Sequence, residues 1–127
     1  MKINVLFTHN IVDEFYFSEK TTVIIDVLRA TTVINTALYN GAKEIIPVSS
    51  VDFAVKVSGS VFGGVTLLCG ERNTKKIEGF DLGNSPFEYS PEVVNNKSIV
   101  LFTTNGSKAI VKAKYSENVV TCCFNNL

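Results

Sequence analysis

The sequence has no excess of charge of either sign, because its 127 residues carry 12 basic and 12 acidic side chains. It also has no block of like charges that could form an acidic or basic tail. Proteins that bind nucleic acid through its phosphates usually show a basic excess or a basic cluster. The composition therefore predicts that nucleic acid is not a partner.

Long hydrophobic runs are absent as well. No segment approaches the roughly 18 continuous apolar residues that a membrane helix needs. The N-terminal stretch MKINVLFTHN has an apolar run too short for a secretory signal, and it has no small-residue cleavage site. These absences predict a cytoplasmic chain without a membrane partner.

Cysteines are few, and Cys69, Cys122 and Cys123 lack the C-x-x-C spacing of many zinc sites. Their odd number also makes a poor disulfide framework, so we expect small buried side chains at the ends of strands. The glycine patterns G-x-G-x-x-G and G-x-x-x-x-G-K-[ST] are missing too. Dinucleotide binding and P-loop NTPase activity therefore lose support.

What the sequence does contain is an alternation of apolar, β-rich runs with helical patterns. The apolar runs predict strands over residues 3–8, 22–27, 44–48, 65–69, 98–102 and 119–122. Apolar residues at helical spacing predict helices over residues 30–39, 51–58 and 105–114, the second of them capped by Ser49 or Ser50. Residues 70–88 read as a long polar connection. This order predicts an α/β fold, a single three-layer α/β/α domain over residues 1–127 with a mostly parallel sheet of about five to six strands.

Polar side chains follow three of the predicted strands. Ligands of open α/β sheets bind beyond the carboxyl ends of the strands, so these positions are the candidate site. If the strands are parallel, the three clusters meet at one edge of the sheet. The clusters are Asp26, Arg29 and Thr31; Glu71 and Arg72; and Thr104, Asn105 and Ser107.

The residue types in these clusters suit an anion. Arg29 and Arg72 can each bind a phosphate, carboxylate or sulfonate through two hydrogen bonds, and the helix N-termini that follow add free N–H groups. Asp26, Glu71 and Asp81 would repel an anion unless a cation lies between them. Oxygen ligands of this kind select magnesium. The sequence therefore predicts a phosphate held together with Mg²⁺.

Each cluster also has a structural interpretation, which the residues alone leave open. Asp26 could cap the following helix and pair with Arg29. Glu71 and Arg72 could lie in a solvated loop, and Thr104 or Asn105 could serve only as a helix cap. His9 is expected to be a structural residue at the end of a strand, and the lysines of the helix over 105–114 are expected to point outward.

Three segments of the sequence point to a family: VIIDVLRATTVINTALYNGAKEIIPV, CGERNTKKIEGFDLGNSPFEYSPE and IVLFTTNGSKAI. Together they resemble the 2-phosphosulfolactate phosphatases of coenzyme M biosynthesis, from about residue 23 to residue 125. The most specific parts are DVLRAT at residues 26–31 and GFDLGNSP at residues 79–86.

The resemblance implies a magnesium-dependent hydrolase that converts 2-phosphosulfolactate, a small phosphorylated sulfonate, to sulfolactate and inorganic phosphate. It implies that Asp26, Glu71 and Asp81 are the catalytic residues and the metal ligands. Asp26 would be either a metal ligand or the attacking carboxylate. The implied substrate-binding residues are Arg29, Thr31, Arg72, Asn84, Ser85, Thr104, Asn105 and Ser107.

The resemblance also implies a longer protein, in which this chain is the N-terminal half and a second half has a similar architecture. Two other functions stay open. The chain could be a non-catalytic module that binds an anion or forms a dimer, or the phosphatase could act on an unsulfonated phosphoester. Whether it forms a homo-oligomer is likewise open.

Overall fold

The computed structural model describes residues 1–61 and 63–127. Ten helices and strands within these ranges carry the fold, joined by four short 3₁₀ turns at His9–Ile11, Glu14–Phe17, Pro86–Glu88 and Phe124–Asn126. In chain order the ten are β1 (Thr21–Ile25), α1 (Ala30–Tyr39), β2 (Glu44–Val48), α2 (Val51–Ser58), β3 (Thr66–Arg72), β4 (Lys75–Lys76), α3 (Pro91–Val94), β5 (Ser98–Phe102), α4 (Gly106–Lys112) and β6 (Asn118–Cys122).

The main sheet has four strands in the order β2-β5-β3-β4. Strands β2 and β3 run parallel to β5 on either side of it, so that Ile45 and Leu67 both lie level with Ile99. Every residue of β5 is buried, which explains its unbroken apolar sequence. Strand β4 adds a short antiparallel pairing with the end of β3.

Helices cover both faces of this sheet, which confirms the predicted three-layer α/β architecture. Val33 and Ile34 of α1 pack with Ile99 and Leu101 on one face. On the other face, Ala54 of α2 joins a cluster of apolar residues: Val48, Phe80, Val100 and Phe102. Helix α2 begins where the sequence predicted, because the Ser50 hydroxyl accepts a hydrogen bond from the Phe53 N–H at 3.2 Å.

The six strands are divided between two sheets, where the sequence had predicted a single sheet of about five to six strands. Strands β1 and β6 form a separate parallel pair, with Thr21 level with Asn118 and Ile25 level with Cys122. Residues 3–8 of the described N-terminal segment form no strand, although their sequence is apolar and β-rich. A strand needs an edge to pair with as well as a suitable pattern, and the pattern alone does not show whether such an edge exists.

The connection over residues 70–88 returns to the main sheet instead of remaining in solvent. Phe80 is buried in the core, and Leu82 then forms a bridge with Cys69 of β3. The N–H of Asp81 donates to the Leu68 carbonyl at 2.8 Å. This segment therefore covers the part of β3 that precedes the predicted site residues Glu71 and Arg72.

Gly70 allows β3 to pass unusually close to the end of β5. Its φ is +139°, and a Cβ at this position would lie 1.8 Å from the carbonyl oxygen of Phe102. Only glycine tolerates both the backbone conformation and the contact. The close approach brings Glu71 and Arg72 beside the loop that follows β5.

The three cysteines are free, and Cys69 and Cys123 are buried, as expected for small hydrophobic side chains. Burial raises the pKa of the Cys69 thiol to about 12, so that thiol stays protonated at neutral pH. Within residues 1–61 and 63–127, no helix has the length and apolar character needed to cross a membrane.

Candidate active site

Asp26 lies just after β1, at the turn that leads into α1. Its backbone N–H donates to the Thr31 hydroxyl at 2.9 Å, and its carbonyl accepts from the Thr31 N–H at 3.0 Å. The Thr31 hydroxyl in turn donates to the carbonyl of Cys122 at 2.8 Å. Thr31 is fully buried, so its hydroxyl ties β1, α1 and β6 together and is not free for the predicted contact with substrate.

The carboxylate of Asp26 is half-buried and points toward the start of α4. A Cβ placed on Gly106 would lie 2.6 Å from Asp26 Oδ2 and 2.3 Å from the Ala30 Cβ. Asp26 does not cap α1 directly, because the N-cap position is Arg29. Among the described residues, no side chain donates a hydrogen bond to the Asp26 carboxylate.

Burial raises the pKa of Asp26. The nearby N–H of Ala30 lowers the pKa of this carboxyl, and the negative charge of Glu71 raises it further. Asp26 is therefore a carboxylate whose ionised form is poorly compensated by the protein itself. A cation, or a proton from a reacting group, would compensate it.

Glu71 is the next-to-last residue of β3, and its carboxyl group is in the opposite situation to that of Asp26. Its side chain is 7% exposed, and its Oε1 accepts from the Thr104 N–H at 2.7 Å. Its Oε2 accepts from the Thr104 hydroxyl at 3.0 Å and from the Thr74 N–H at 2.8 Å. Burial alone would raise the pKa of Glu71, but these hydrogen bonds and the charge of Arg29 outweigh it and lower the pKa.

Asp26, Arg29 and Glu71 therefore form one electrostatic cluster, in which Glu71 acts on the carboxyl of Asp26 and Arg29 acts on that of Glu71. The two carboxyl groups have pKa values displaced in opposite directions. In such a pair one carboxyl group commonly stays ionised while the other can gain or lose a proton. Here the free carboxylate is Asp26, and Glu71 is committed to the loop.

The loop after β5 uses most of its own polar groups. Thr103 and Ser107 are both buried. The Thr103 N–H donates to the Ser107 hydroxyl, and the Ser107 N–H donates to the Thr103 hydroxyl, both at 2.8 Å. The Thr104 hydroxyl donates to Glu71 and accepts from the Asn73 N–H at 3.2 Å. The hydroxyls of Thr104 and Ser107 were predicted to bind substrate, but in the structure they stabilise the loop. The Asn105 side chain is exposed and forms no capping hydrogen bond with α4.

The remaining candidates lie in the connection beside β3. The Asp81 carboxylate accepts from the Leu68 N–H at 2.8 Å. Leu68 lies three residues before Glu71, which places this contact about 10 Å back along β3. Asn84 is buried, and its Oδ1 has no hydrogen-bond partner among the described residues. Ser85 is half-buried and precedes the turn at Pro86–Glu88.

The structure does not assemble the predicted metal site of three carboxylates. Within the described ranges, no group of three His, Cys, Asp or Glu side chains could together hold a metal ion. Asp26 still fits Mg²⁺, which often takes one or two carboxylates and completes its shell with substrate phosphate and water. Glu71 fits less well, because three donors already occupy its oxygens.

A cavity of about 380 Å³ opens beside this cluster, at the carboxyl ends of β2, β3 and β5. The guanidinium of Arg72 lies 5.9 Å from the centre of the Phe102 ring, and the Lys108 ammonium lies 5.6 Å from it. Arg72 and Thr104 were predicted as site residues, but Lys108 was not, because its place on the helix had assigned it to the outer face. The lining residues are Ser49, Ser50, Arg72, Asn73, Phe102, Thr104 and Lys108.

The model of a family described as 2-phosphosulpholactate phosphatase matches residues 7–127. The chain belongs to this family. It is 51% identical over 120 residues to a protein named "Probable 2-phosphosulfolactate phosphatase" from Caldanaerobacter subterraneus, an alignment that covers 94% of this chain and 50% of that protein. A Clostridium perfringens protein of the same name is 43% identical over 128 residues, covering 99% of this chain and 52% of the relative.

A third protein with that name, from Thermotoga petrophila, is 51% identical over 108 residues, which are 85% of this chain and 45% of the relative. The 2-phosphosulfolactate phosphatase family match includes every candidate site residue, from Asp26 to Ser107. The chain spans about half the length of the curated relatives it matches.

Proposed function

We propose that this chain provides the catalytic carboxylate and the anion-binding residues of a 2-phosphosulfolactate phosphatase, which hydrolyses 2-phosphosulfolactate to sulfolactate and inorganic phosphate with Mg²⁺. The observation that carries the proposal is the environment of Asp26. Its carboxylate is half-buried, has no side-chain donor among the described residues, and lies in one cluster with Arg29 and Glu71. The family membership supplies the substrate class.

Phosphomonoester hydrolysis needs large acceleration, because it is among the slowest uncatalysed reactions known. Asp26 would act either as the attacking carboxylate or as a ligand of Mg²⁺, together with the substrate phosphate. When bound, Mg²⁺ would neutralise charge on the phosphate and on Asp26. Arg29 would bind the phosphate oxygens, and its charge would also offset that of the buried Glu71.

Glu71 takes a different part in this proposal from the one that the sequence indicated. Its carboxylate holds Thr104 and Thr74 in place through three hydrogen bonds. It therefore positions the ends of β3 and β5 around the substrate and does not contact the metal. Asp81 has a similar supporting part, since its carboxylate fixes the returning segment on β3.

Asp26→Asn tests the proposal in the whole gene product that contains this chain. The amide keeps the shape of the side chain but removes its charge and nucleophilicity, so Mg²⁺-dependent phosphate release should fall by about 10²–10⁴-fold. Asp52→Asn, on the exposed face of α2, is the matched control and should retain activity. Near-normal turnover by the Asp26 variant would remove this residue from the mechanism.

A second candidate is a module that binds an anion without turnover, and it is favoured by the absence, among the described residues, of a group of three side chains that could hold a metal ion. The two functions differ in one measurement. If the whole gene product binds phosphate or a sulfonate but releases no phosphate from 2-phosphosulfolactate, the module is correct. A third candidate, an unsulfonated substrate, would be shown by a higher kcat/KM on such a phosphoester than on 2-phosphosulfolactate.

A further inference from the structure

The cavity beside the Asp26 cluster has a charge distribution of its own. Its seven lining residues include Arg72 and Lys108 but no carboxylate. Neither cation forms an ion pair within residues 1–61 and 63–127, where the recorded ion pair joins Lys114 and Glu14 at 2.8 Å. Two positive charges without a counter-charge, facing one cavity, create a potential that attracts an anion.

Both cations lie within reach of one aromatic ring. Arg72 and Lys108 are 5.9 Å and 5.6 Å from the centre of the Phe102 ring, within the range of cation–π attraction. Phe102 is itself buried, with 4% of its surface exposed. The ring therefore offers both cations a fixed contact at the wall of the cavity.

Glu71 precedes Arg72 in the sequence, but the two form no ion pair among the described residues. Glu71 directs its carboxylate oxygens to the N–H groups of Thr104 and Thr74 and to the Thr104 hydroxyl. Meanwhile the cavity wall supplies neutral donors: the side chains of Ser49, Ser50 and Asn73. The cavity thus has groups that bind an oxyanion but no carboxylate that could attack it.

Thr104 connects this cavity to the catalytic cluster. It lines the cavity, and it is hydrogen bonded to Glu71, whose pKa is lowered in part by Arg29. Gly106, two residues beyond Thr104, lies against the Asp26 carboxylate, so the loop after β5 runs from the cavity to the catalytic cluster.

We propose that the pocket formed by Arg72, Lys108 and Phe102 binds the second acidic group of the substrate, a sulfonate or a carboxylate, while the phosphate lies at Asp26 and Arg29. Lys108 is then a specificity-determining residue. This assignment rests on the proposed phosphatase function for its account of the substrate. The anion-binding property of the pocket rests on the cavity and its charges alone.

Lys108→Gln tests the proposal, with Lys112→Gln as the matched control one turn further along α4. Both lysines are half-buried, but only Lys108 lines the cavity. In the whole gene product, we expect Lys108→Gln to lower kcat/KM for 2-phosphosulfolactate by about 10–100-fold, mainly through KM, because one charge-assisted contact is lost. Ethyl phosphate has no second acid, so its kcat/KM should be unchanged, and the ratio of the two kcat/KM values should fall by about the same 10–100-fold.

A binding measurement separates failure of the pocket from failure of the phosphatase. Methanesulfonate and acetate, which have no phosphate, are titrated calorimetrically against the unmodified protein and both variants. We expect about tenfold weaker binding in Lys108→Gln and no change in Lys112→Gln, and the preferred probe identifies the acid.

Two outcomes are informative about different claims. Sulfonate binding that depends on Lys108, in a protein without turnover, would support the pocket and overturn the phosphatase. If Lys108→Gln and Lys112→Gln behave alike in both the kinetic ratio and the titration, the pocket assignment is wrong even where the phosphatase stands.

Discussion

The carboxylate of Asp26 lies so close to Gly106 that a single added carbon would collide with it. A Cβ at Gly106 would be 2.6 Å from Asp26 Oδ2, well inside van der Waals contact. The two residues are 80 positions apart, and they meet because the β1–α1 turn packs against the start of α4. The position of the proposed catalytic group thus depends on a residue that has no side chain.

Gly106→Ala should therefore displace Asp26. We expect the crowding to lower the free energy of unfolding by about 1–3 kcal/mol, and a shift of the carboxylate by about 1 Å to lower kcat/KM by about 10²-fold. Chemical denaturation and phosphate-release kinetics on the whole gene product measure both effects.

Gly59→Ala is the control for this prediction. Gly59 follows α2 with φ −75°, and a Cβ there would meet nothing closer than the Lys56 carbonyl oxygen at 3.8 Å. Its variant should keep both stability and activity. An active, equally stable Gly106→Ala protein would show that Asp26 does not need its observed position.

Glu71→Gln should destabilise the fold in a manner that depends on pH. The pKa of Glu71 is lowered in the folded protein, so its ionised form contributes stability above the ordinary value of 4.5. That contribution is lost as the pH falls through the folded pKa. At pH 7 we expect the variant to be less stable by about 1–3 kcal/mol, since an amide cannot accept all three hydrogen bonds.

Denaturant unfolding of Glu71→Gln and of the unmodified chain, repeated from pH 7 down into the acid range, checks this expectation. The two stabilities should converge in acid. Glu78→Gln, at an exposed position in the same connection, should match the unmodified chain throughout. The Mg²⁺ concentration that gives half-maximal activity should be unchanged in Glu71→Gln, and a large increase would instead make Glu71 a metal ligand.

Local patterns predicted most of the secondary structure. The periodicity of residues 30–39 and 51–58 matches α1 and α2, and the apolar runs at 44–48 and 98–102 match β2 and β5. These features depend on neighbours in sequence, so a sequence is sufficient to find them. Residues 3–8 show the limit, because the same kind of run forms no strand without an edge to pair with.

The candidate site was likewise predictable only in part. Sequence reasoning named the segments after β3 and β5 because parallel strands end at one edge of a sheet, whereas Asp26 follows β1 of the separate pair and meets them through Gly106. It could not tell which polar atoms remain free. The Thr31 hydroxyl donates to the carbonyl of Cys122, and the Ser107 hydroxyl donates to the carbonyl of Thr103. These hydrogen bonds form only once the chain is folded, so the sequence alone does not show them.

Lys108 was missed for a related reason. Helical phase assigns it to the outer face of α4, away from the apolar residues. A lysine side chain is long and flexible, however, and its ammonium can reach a ring that its backbone position would not suggest. The contact with Phe102 at 5.6 Å is of this kind.

Asp26→Asn should make the chain more stable, even though it should abolish most activity. Burial raises the pKa of Asp26 above its ordinary value of 3.8, so the folded state holds this proton more tightly than the unfolded state. Stability from this group is then fully present below pH 3.8 and is lost as the pH rises through the folded pKa. An uncharged amide avoids the loss.

Thermal unfolding at pH 7 should thus give a higher Tm for Asp26→Asn than for the unmodified chain, and the difference should disappear as the pH falls below 3.8. Asp52→Asn, on the exposed face of α2, should show no such pH-dependent gain. A lower Tm for Asp26→Asn at pH 7 would mean that the ionised carboxylate stabilises the fold. Asp26 would then be a structural residue, and the case for it as the reacting group would lose its physical basis.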